Sequence, residues 1–183
     1  TVDLTSSDDG INASGSITVE AGLAATAESS SDTATTTDTT TQQMGPGGMA
    51  DGGGSMEDTG EQLTISGGTV TVNANGDGLD SNGSLTISGG TTTVYGPASG
   101  ANGALDSNGA MSITGGTVIA FATSEMVETP TTTDGQGWIS TAASGSAGST
   151  VTISDSSGSV LGTYTSPKAF ENVIYSTSGM TNG

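Results

Sequence analysis

The chain has 183 residues, enough for one domain, yet only 31% of them are hydrophobic and 3% aromatic, so an ordinary globular core is poorly supplied. It contains 19 acidic residues and a single basic one, Lys168, which gives a net charge of −18. This charge repels nucleic acid and anionic membrane surfaces and attracts cations. Cysteine is absent, which excludes disulfides and thiolate metal sites, and no run of about 18 apolar residues could span a bilayer.

The N-terminal residues carry a pattern that returns later in the chain. Residues 1–19 match residues 69–87 at a constant offset of 68, and apolar residues alternate with polar ones in both segments. We therefore expect the chain to begin inside a repeat, with a first strand whose open edge is covered by a preceding coil, a partner chain or a trimmed segment. No charged-then-apolar signal segment precedes Thr1, which indicates a mature protein or a piece of one.

An interruption of this pattern runs from about residue 28 to residue 60. The stretch is rich in Ser, Thr and Gly and has no apolar period. Such a composition predicts a long mobile excursion from one repeat, and the alternative is a disordered spacer without a role.

The strongest feature is a repeated segment made of a strand, a Gly-Gly corner and a second strand. Leu63–Val72 returns as Leu85–Val94 and as Met111–Ala120, at intervals of 85 − 63 = 22 and 111 − 85 = 26 residues. Fixed periods in this range indicate stacked repeats, and the Gly-Gly pairs fall where a corner needs backbone angles that β-branched residues resist. We therefore predict an all-β fold, a single-stranded right-handed parallel β-helix, or solenoid, of about five coils over residues 1–149.

Stacked repeats would align their inward-facing residues into columns, which together form one narrow aliphatic core. The predicted columns are Leu63, Leu85 and Met111; Ile65, Ile87 and Ile113; Val70, Thr92 and Val118; Val72, Val94 and Ala120; and Leu79 with Leu105.

The repeat ends after Thr123. Asp155-Ser-Ser-Gly158 between two alternating runs predicts a hairpin, and a further strand is expected at about residues 172–176. Residues 150–183 are therefore predicted to form a small antiparallel β cap that covers the last coil and belongs to the same domain.

Acidic turns follow the repeated strands and are the sharpest candidate site. Asp80 and Asp106 occupy the same position in successive repeats, and strands that pair normally would place them about 4.8 Å apart. Two carboxylates at that distance repel by roughly 3–4 kcal/mol at an effective dielectric constant near 20, unless water screens them, they share a proton, or a cation lies between them. Calcium takes six to eight oxygen ligands, and the side chains and carbonyl groups of these turns offer such oxygens. We therefore predict a calcium site. Its candidate ligands are Asp9, Asp77, Asp80, Asn82, Asp106 and Asn108. The alternative is that these are solvated surface turns.

Aromatic residues offer a second candidate surface. Tyr95 and Phe121 also occupy equivalent positions, so their rings could lie side by side as a platform for sugar rings, which Trp138 could extend. The alternative is that these rings only seat the loop that follows Thr123.

Catalysis lacks the necessary residues. A polysaccharide lyase needs a basic residue to abstract a proton, and the chain has one Lys and neither Arg nor His. A glycosidase pair at Asp77 with Asp80 or Asp106 is formally possible, but an Asp that recurs with the repeat indicates a structural role. We therefore predict that the protein is not an enzyme.

Several of these segments together resemble the bacterial carbohydrate-binding domain family of extracellular β-helix proteins. The matching pieces are Asp8–Gly15, Gly76–Gly90, Gly103–Gly109 with Gly115-Gly116, a Met- and Gly-rich insertion at Met44–Met56, and Pro167–Phe170. Asn12 departs from the pattern, since the other two turns carry Asp80 and Asp106 at its position. The first turn is therefore the weaker candidate ligand group.

The resemblance implies an extracellular or cell-surface location and the binding of acidic plant-type polysaccharide together with calcium. The first hypothesis is accordingly a non-catalytic, calcium-dependent carbohydrate-binding module for a pectin-like or cellulosic polymer. The alternative is a structural or adhesive stalk or filament subunit that associates end to end.

Overall fold

The computed structural model describes residues 1–13, 15–20, 60–132 and 135–181, which form fifteen β-strands. The predicted excursion at about 28–60 lies outside the described residues, apart from Gly60. Within the described ranges, no helix is long and apolar enough to cross a membrane.

Eleven strands, β1 to β11, come from the repeating part of the chain. Their bounds are β1 Val2–Thr5, β2 Ile11–Ala13, β3 Ser16–Val19, β4 Gln62–Ile65, β5 Thr69–Asn73, β6 Leu79–Ser81, β7 Ser84–Ile87, β8 Thr91–Tyr95, β9 Leu105–Ser107, β10 Met111–Ile113 and β11 Thr117–Ala122.

Strands at equivalent positions of successive repeats pair in parallel. The orders are β1-β5-β8-β11, β3-β4-β7-β10 and β2-β6-β9, and the registers match the offsets in the sequence, as in Leu63 beside Leu85 and Leu85 beside Met111. The predicted pairing of one repeat with the next is confirmed. The inward residues form a single aliphatic cluster, in which Leu63, Val70 and Leu79 have no exposed surface.

The Gly-Gly corners also stand where the sequence predicts them. The second glycine of each pair has a positive φ, 81° at Gly68, 79° at Gly90 and 85° at Gly116. A methyl group at Gly90 would overlap the Gly68 carbonyl oxygen and lie 2.7 Å from Gly67 C. The corners of neighbouring repeats therefore pack too closely for any side chain.

The C-terminal part supplies four further strands, β12 Trp138–Gly145, β13 Thr150–Ser154, β14 Val160–Thr165 and β15 Phe170–Ser176. β13 and β14 form the hairpin predicted around Asp155, and β15 includes the strand expected at 172–176.

The prediction of a single right-handed parallel β-helix is wrong. The described strands divide among four sheets, and the largest is mixed, because β15 pairs antiparallel with β11 and β12 pairs antiparallel with β15. The cause is the loss of the repeat after Thr123: the later segment returns along β11 in the opposite direction. β15 and β12 thus extend this sheet, whereas β13 and β14 form a separate two-stranded sheet. The proposed domain division at residue 150 stays a prediction.

A second, smaller core lies on the outer face of the six-stranded sheet. It contains Phe121, Phe170 and Tyr175, and the inner face of the β13–β14 hairpin covers it with Val151 and Ile153. The hairpin therefore buries an outer surface that the repeat alone would leave open to solvent.

Candidate functional site

The acidic turns contain a column of polar residues at the three-stranded sheet. Asn12, Asp80 and Asp106 are register partners in β2, β6 and β9. The Asn12 side-chain amide donates a hydrogen bond to Asp80 Oδ2 and, over 3.3 Å, to Asp9 Oδ2. The sheet therefore brings the two predicted carboxylates side by side, and Asn12 adds a neutral partner at one end.

A second column begins two residues before each of these short strands. Asp9 Oδ1 accepts a hydrogen bond of 2.9 Å from the Asp77 backbone N–H, and Asp77 Oδ1 accepts one of 2.6 Å from the Gly103 N–H. Each carboxylate thus caps the same backbone position of the following repeat. Asp9 accepts hydrogen bonds at both of its oxygens, one from Asp77 and one from Asn12. The bond from Gly103 engages only one oxygen of Asp77, which leaves its Oδ2 for a ligand.

Burial and mutual repulsion disfavour the ionised form of these groups. Partial burial, together with the negative charges of Asp106, Asp9 and Asp77, raises the pKa of Asp80 to about 7. Burial likewise raises the pKa of Asp77 to about 6, although its bond from Gly103 opposes the shift. Near neutral pH the Asp80 carboxyl group is therefore only partly ionised.

Glu128 is a member of this cluster that the sequence pattern did not indicate. Its Oε2 accepts a hydrogen bond of 3.0 Å from the Ser107 backbone N–H, at the open edge of β9. Burial raises the pKa of Glu128, and its hydrogen bond with Asp106 and the Asp106 charge add to this effect. Glu128 lies after Thr123, where nothing repeats, so no periodic signal could have found it.

The donor types in these turns suit calcium, which prefers carboxylate, carbonyl and amide oxygens. Asn82 and Asn108 lie beside each other in successive repeats, each half-buried, and their backbone N–H groups donate to Ala13 O and Ser81 O. However, no three carboxylates among the residues that the structure describes converge closely enough to hold a metal ion. The turns therefore provide pairs of donors and no closed cage.

The predicted aromatic platform does not form as one surface. The Tyr95 and Phe121 rings stack with centroids 5.6 Å apart, but Phe121 is only 2% exposed because Phe170 and the hairpin enclose it. Trp138 pairs with Ser176, which pairs with the core residue Val118, so side-chain alternation places Trp138 and Tyr95 on opposite faces of the sheet. Tyr95 and Trp138 remain half-exposed as separate aromatic contacts.

Lys168, the one basic residue, is engaged within the fold. Its ammonium donates to the carbonyl oxygens of Ala74 and, at 3.3 Å, Gly96, which are equivalent residues of successive repeats. Partial burial lowers the pKa of Lys168. The sequence did not indicate this contact, because the lysine lies outside the repeat.

The N-terminal part of the chain matches a known protein family. Residues 1–100 match the model of a family described as carbohydrate-binding domain-containing protein. No curated protein and no solved structure matches the chain.

Proposed function

Because this chain belongs to the family of carbohydrate-binding domain-containing proteins, we propose that it binds acidic, pectin-like polysaccharide through calcium held at the acidic turns. We define the acidic ridge as Asp77, Asp80, Asp106 and Glu128. In this proposal the protein is a non-catalytic module that acts at the cell surface or outside the cell.

The observation that supports this proposal most strongly is the pairing of Asp80 with Asp106 in the sheet. Burial and, after it, neighbouring charges raise the pKa of Asp80 to about 7, so keeping Asp80 ionised carries a free-energy cost. A divalent cation between the carboxylates would remove that cost. Calcium would then displace protons, and its binding should strengthen as pH rises through this range.

The charge balance explains why an acidic sugar would need such an ion. A chain of charge −18 repels a polyuronate, and Lys168 has its ammonium against backbone carbonyls. A bound cation would supply the missing positive charge. The open arrangement of the ridge also fits, because an ion with few protein ligands keeps coordination positions for a sugar carboxylate.

The test is retention on immobilised polygalacturonate at pH 7.5, with calcium or with a chelator, and with cellulose as a second matrix. We expect retention on polygalacturonate in calcium and its loss in chelator. The double variant Asp80→Asn with Asp106→Asn should lose most retention, since both bridging carboxylates are gone.

The matched control is Asp3→Asn with Glu20→Gln, which removes the same two charges from exposed positions outside the ridge. This control should bind like the parent protein. Equal retention in calcium and chelator would contradict the calcium mechanism, and retention on cellulose alone would contradict the acidic ligand.

A further inference from the structure

The six-stranded sheet ends on an open strand. Its order is β1-β5-β8-β11-β15-β12, and no described residue continues it beyond β12. The outward side of β12 therefore presents backbone N–H and C=O groups that no other described strand uses.

This edge lacks two features by which proteins commonly prevent edge-to-edge pairing, namely charged residues and proline. Edge strands are commonly short or carry charged residues or proline. β12 has eight residues, Trp138–Gly145, with neither a charge nor a proline, and the whole stretch from residue 135 to residue 154 is uncharged. A register irregularity between Ala142 and Gly145 limits the regular part of the edge to Trp138–Ala142.

Exposed apolar side chains flank the same edge. Ile139 is 40% exposed and pairs with Tyr175, whose hydroxyl donates to Leu161 O over 3.5 Å. Leu161 is 42% exposed and its neighbour Val160 is 62% exposed. Ile139 therefore lies beside Tyr175 on the outer face, next to the open backbone groups, and the Tyr175 hydroxyl reaches the start of β14.

We propose that β12 pairs antiparallel with β12 of a second copy of this chain, joining two six-stranded sheets across a twofold axis. Pairing about Ser140 places Thr141 of each copy opposite Ile139 of the other, with both hairpins on the same side of the joined sheet. A second copy is the occupant because this contact sets an uncharged strand against an uncharged strand, so that two chains of charge −18 meet where neither strand carries an acidic residue.

The experiment is analytical ultracentrifugation of the full chain from about 1 to about 500 μM, a range that covers weak specific association. We expect a monomer–dimer equilibrium that tightens as salt is raised, because salt screens the net repulsion between the copies. Thr141→Asp should raise the dimer Kd about tenfold or more, since it sets a carboxylate against Ile139 of the other copy.

Thr152→Asp is the matched control, because it adds the same charge at an exposed position on the outer face of the hairpin. It should leave the dimer Kd within about threefold of the parent value. Equal thermal stability of the two variants shows that both fold. A monomer throughout the concentration range, or equal weakening by both variants, would overturn the proposal, and so would a dimer whose β12 amides exchange hydrogen as fast as in the monomer.

Discussion

Thr92 shows how a single position can depart from the repeat that surrounds it. It lies between Val70 and Val118 in a core column and has no exposed surface. Its hydroxyl has no hydrogen-bond partner. A buried hydroxyl without a partner costs free energy that valine, of the same shape, would avoid.

Thr92→Val should therefore raise the free energy of unfolding by about 1 kcal/mol, which corresponds to ~2–4 °C in Tm for a chain of this size. Thermal unfolding followed by circular dichroism measures the shift. Val70→Thr, the reverse change in the same column, should lower Tm. A lower Tm for Thr92→Val would show that the hydroxyl is satisfied after all.

The carboxylates of the acidic ridge predict how stability depends on pH. In the folded protein, burial and neighbouring charges raise the pKa of Asp77 to about 6 and that of Asp80 to about 7, from an ordinary value of 3.8. At pH values between about 4 and about 7, the folded state therefore binds more protons than the unfolded chain does. The contribution of these groups to stability is therefore fully present below about pH 4 and is lost as pH rises to about 7.

Asp80→Asn isolates this effect. Without divalent cations, the Tm of the parent protein relative to this variant should fall between pH 4.5 and pH 7.5, since only the parent must ionise Asp80. Asp3→Asn should leave the pH profile of the parent unchanged. A Tm difference that stays constant or rises over this range would contradict the raised pKa.

At the scale of elements, the corners hold the repeats at their close spacing. Gly90 and Gly158 both have positive φ, 79° and 88°, but a methyl group would meet backbone atoms of the neighbouring corner only at Gly90. Gly158→Ala should cost about 1 kcal/mol, from backbone strain alone. Gly90→Ala adds steric overlap and should cost about 3 kcal/mol or more.

Urea unfolding of the two variants checks this prediction. The difference between them measures the contact between corners, because the strain of a positive φ is common to both. Equal losses would mean that neighbouring repeats can move apart at the corner without cost.

The elements of the repeating part could be read from the sequence because two signals coincide there. Leu63 and Ile65 show the two-residue alternation of a strand, and Gly67-Gly68 marks its end. The direction of β15 could not be read in this way. β11 and β15 both contain a continuous apolar run, residues 118–122 and residues 173–175, and such a run does not show whether two strands pair parallel or antiparallel.

The sequence likewise predicted the part of the candidate site that lies within the repeats, and not the part that lies outside them. Asp80 and Asp106 recur at a fixed position, so their proximity follows from the pairing of the repeats. Glu128 and Lys168 reach the repeats from segments outside them, and the enclosure of Phe121 depends on how the hairpin folds back. These contacts are tertiary and leave no periodic signal in the sequence.

At the scale of the whole molecule, charge connects stability with ligand binding. A polyanion of charge −18 gains stability from any cation that the folded state binds better than the unfolded chain does. If a sugar carboxylate completes the coordination of that cation, calcium and polysaccharide must each increase the affinity for the other by the same factor. This reciprocity is expected only if calcium links the protein to the sugar.

Calorimetric titration of calcium at pH 7.5, with and without a short oligogalacturonate, measures this reciprocity. We predict that the oligosaccharide raises the calcium affinity by on the order of tenfold, and that Asp80→Asn with Asp106→Asn abolishes the increase. The variant Asp3→Asn with Glu20→Gln should retain it. A calcium affinity that does not change with oligogalacturonate, while the sugar still binds in the presence of chelator, would contradict sugar binding through calcium.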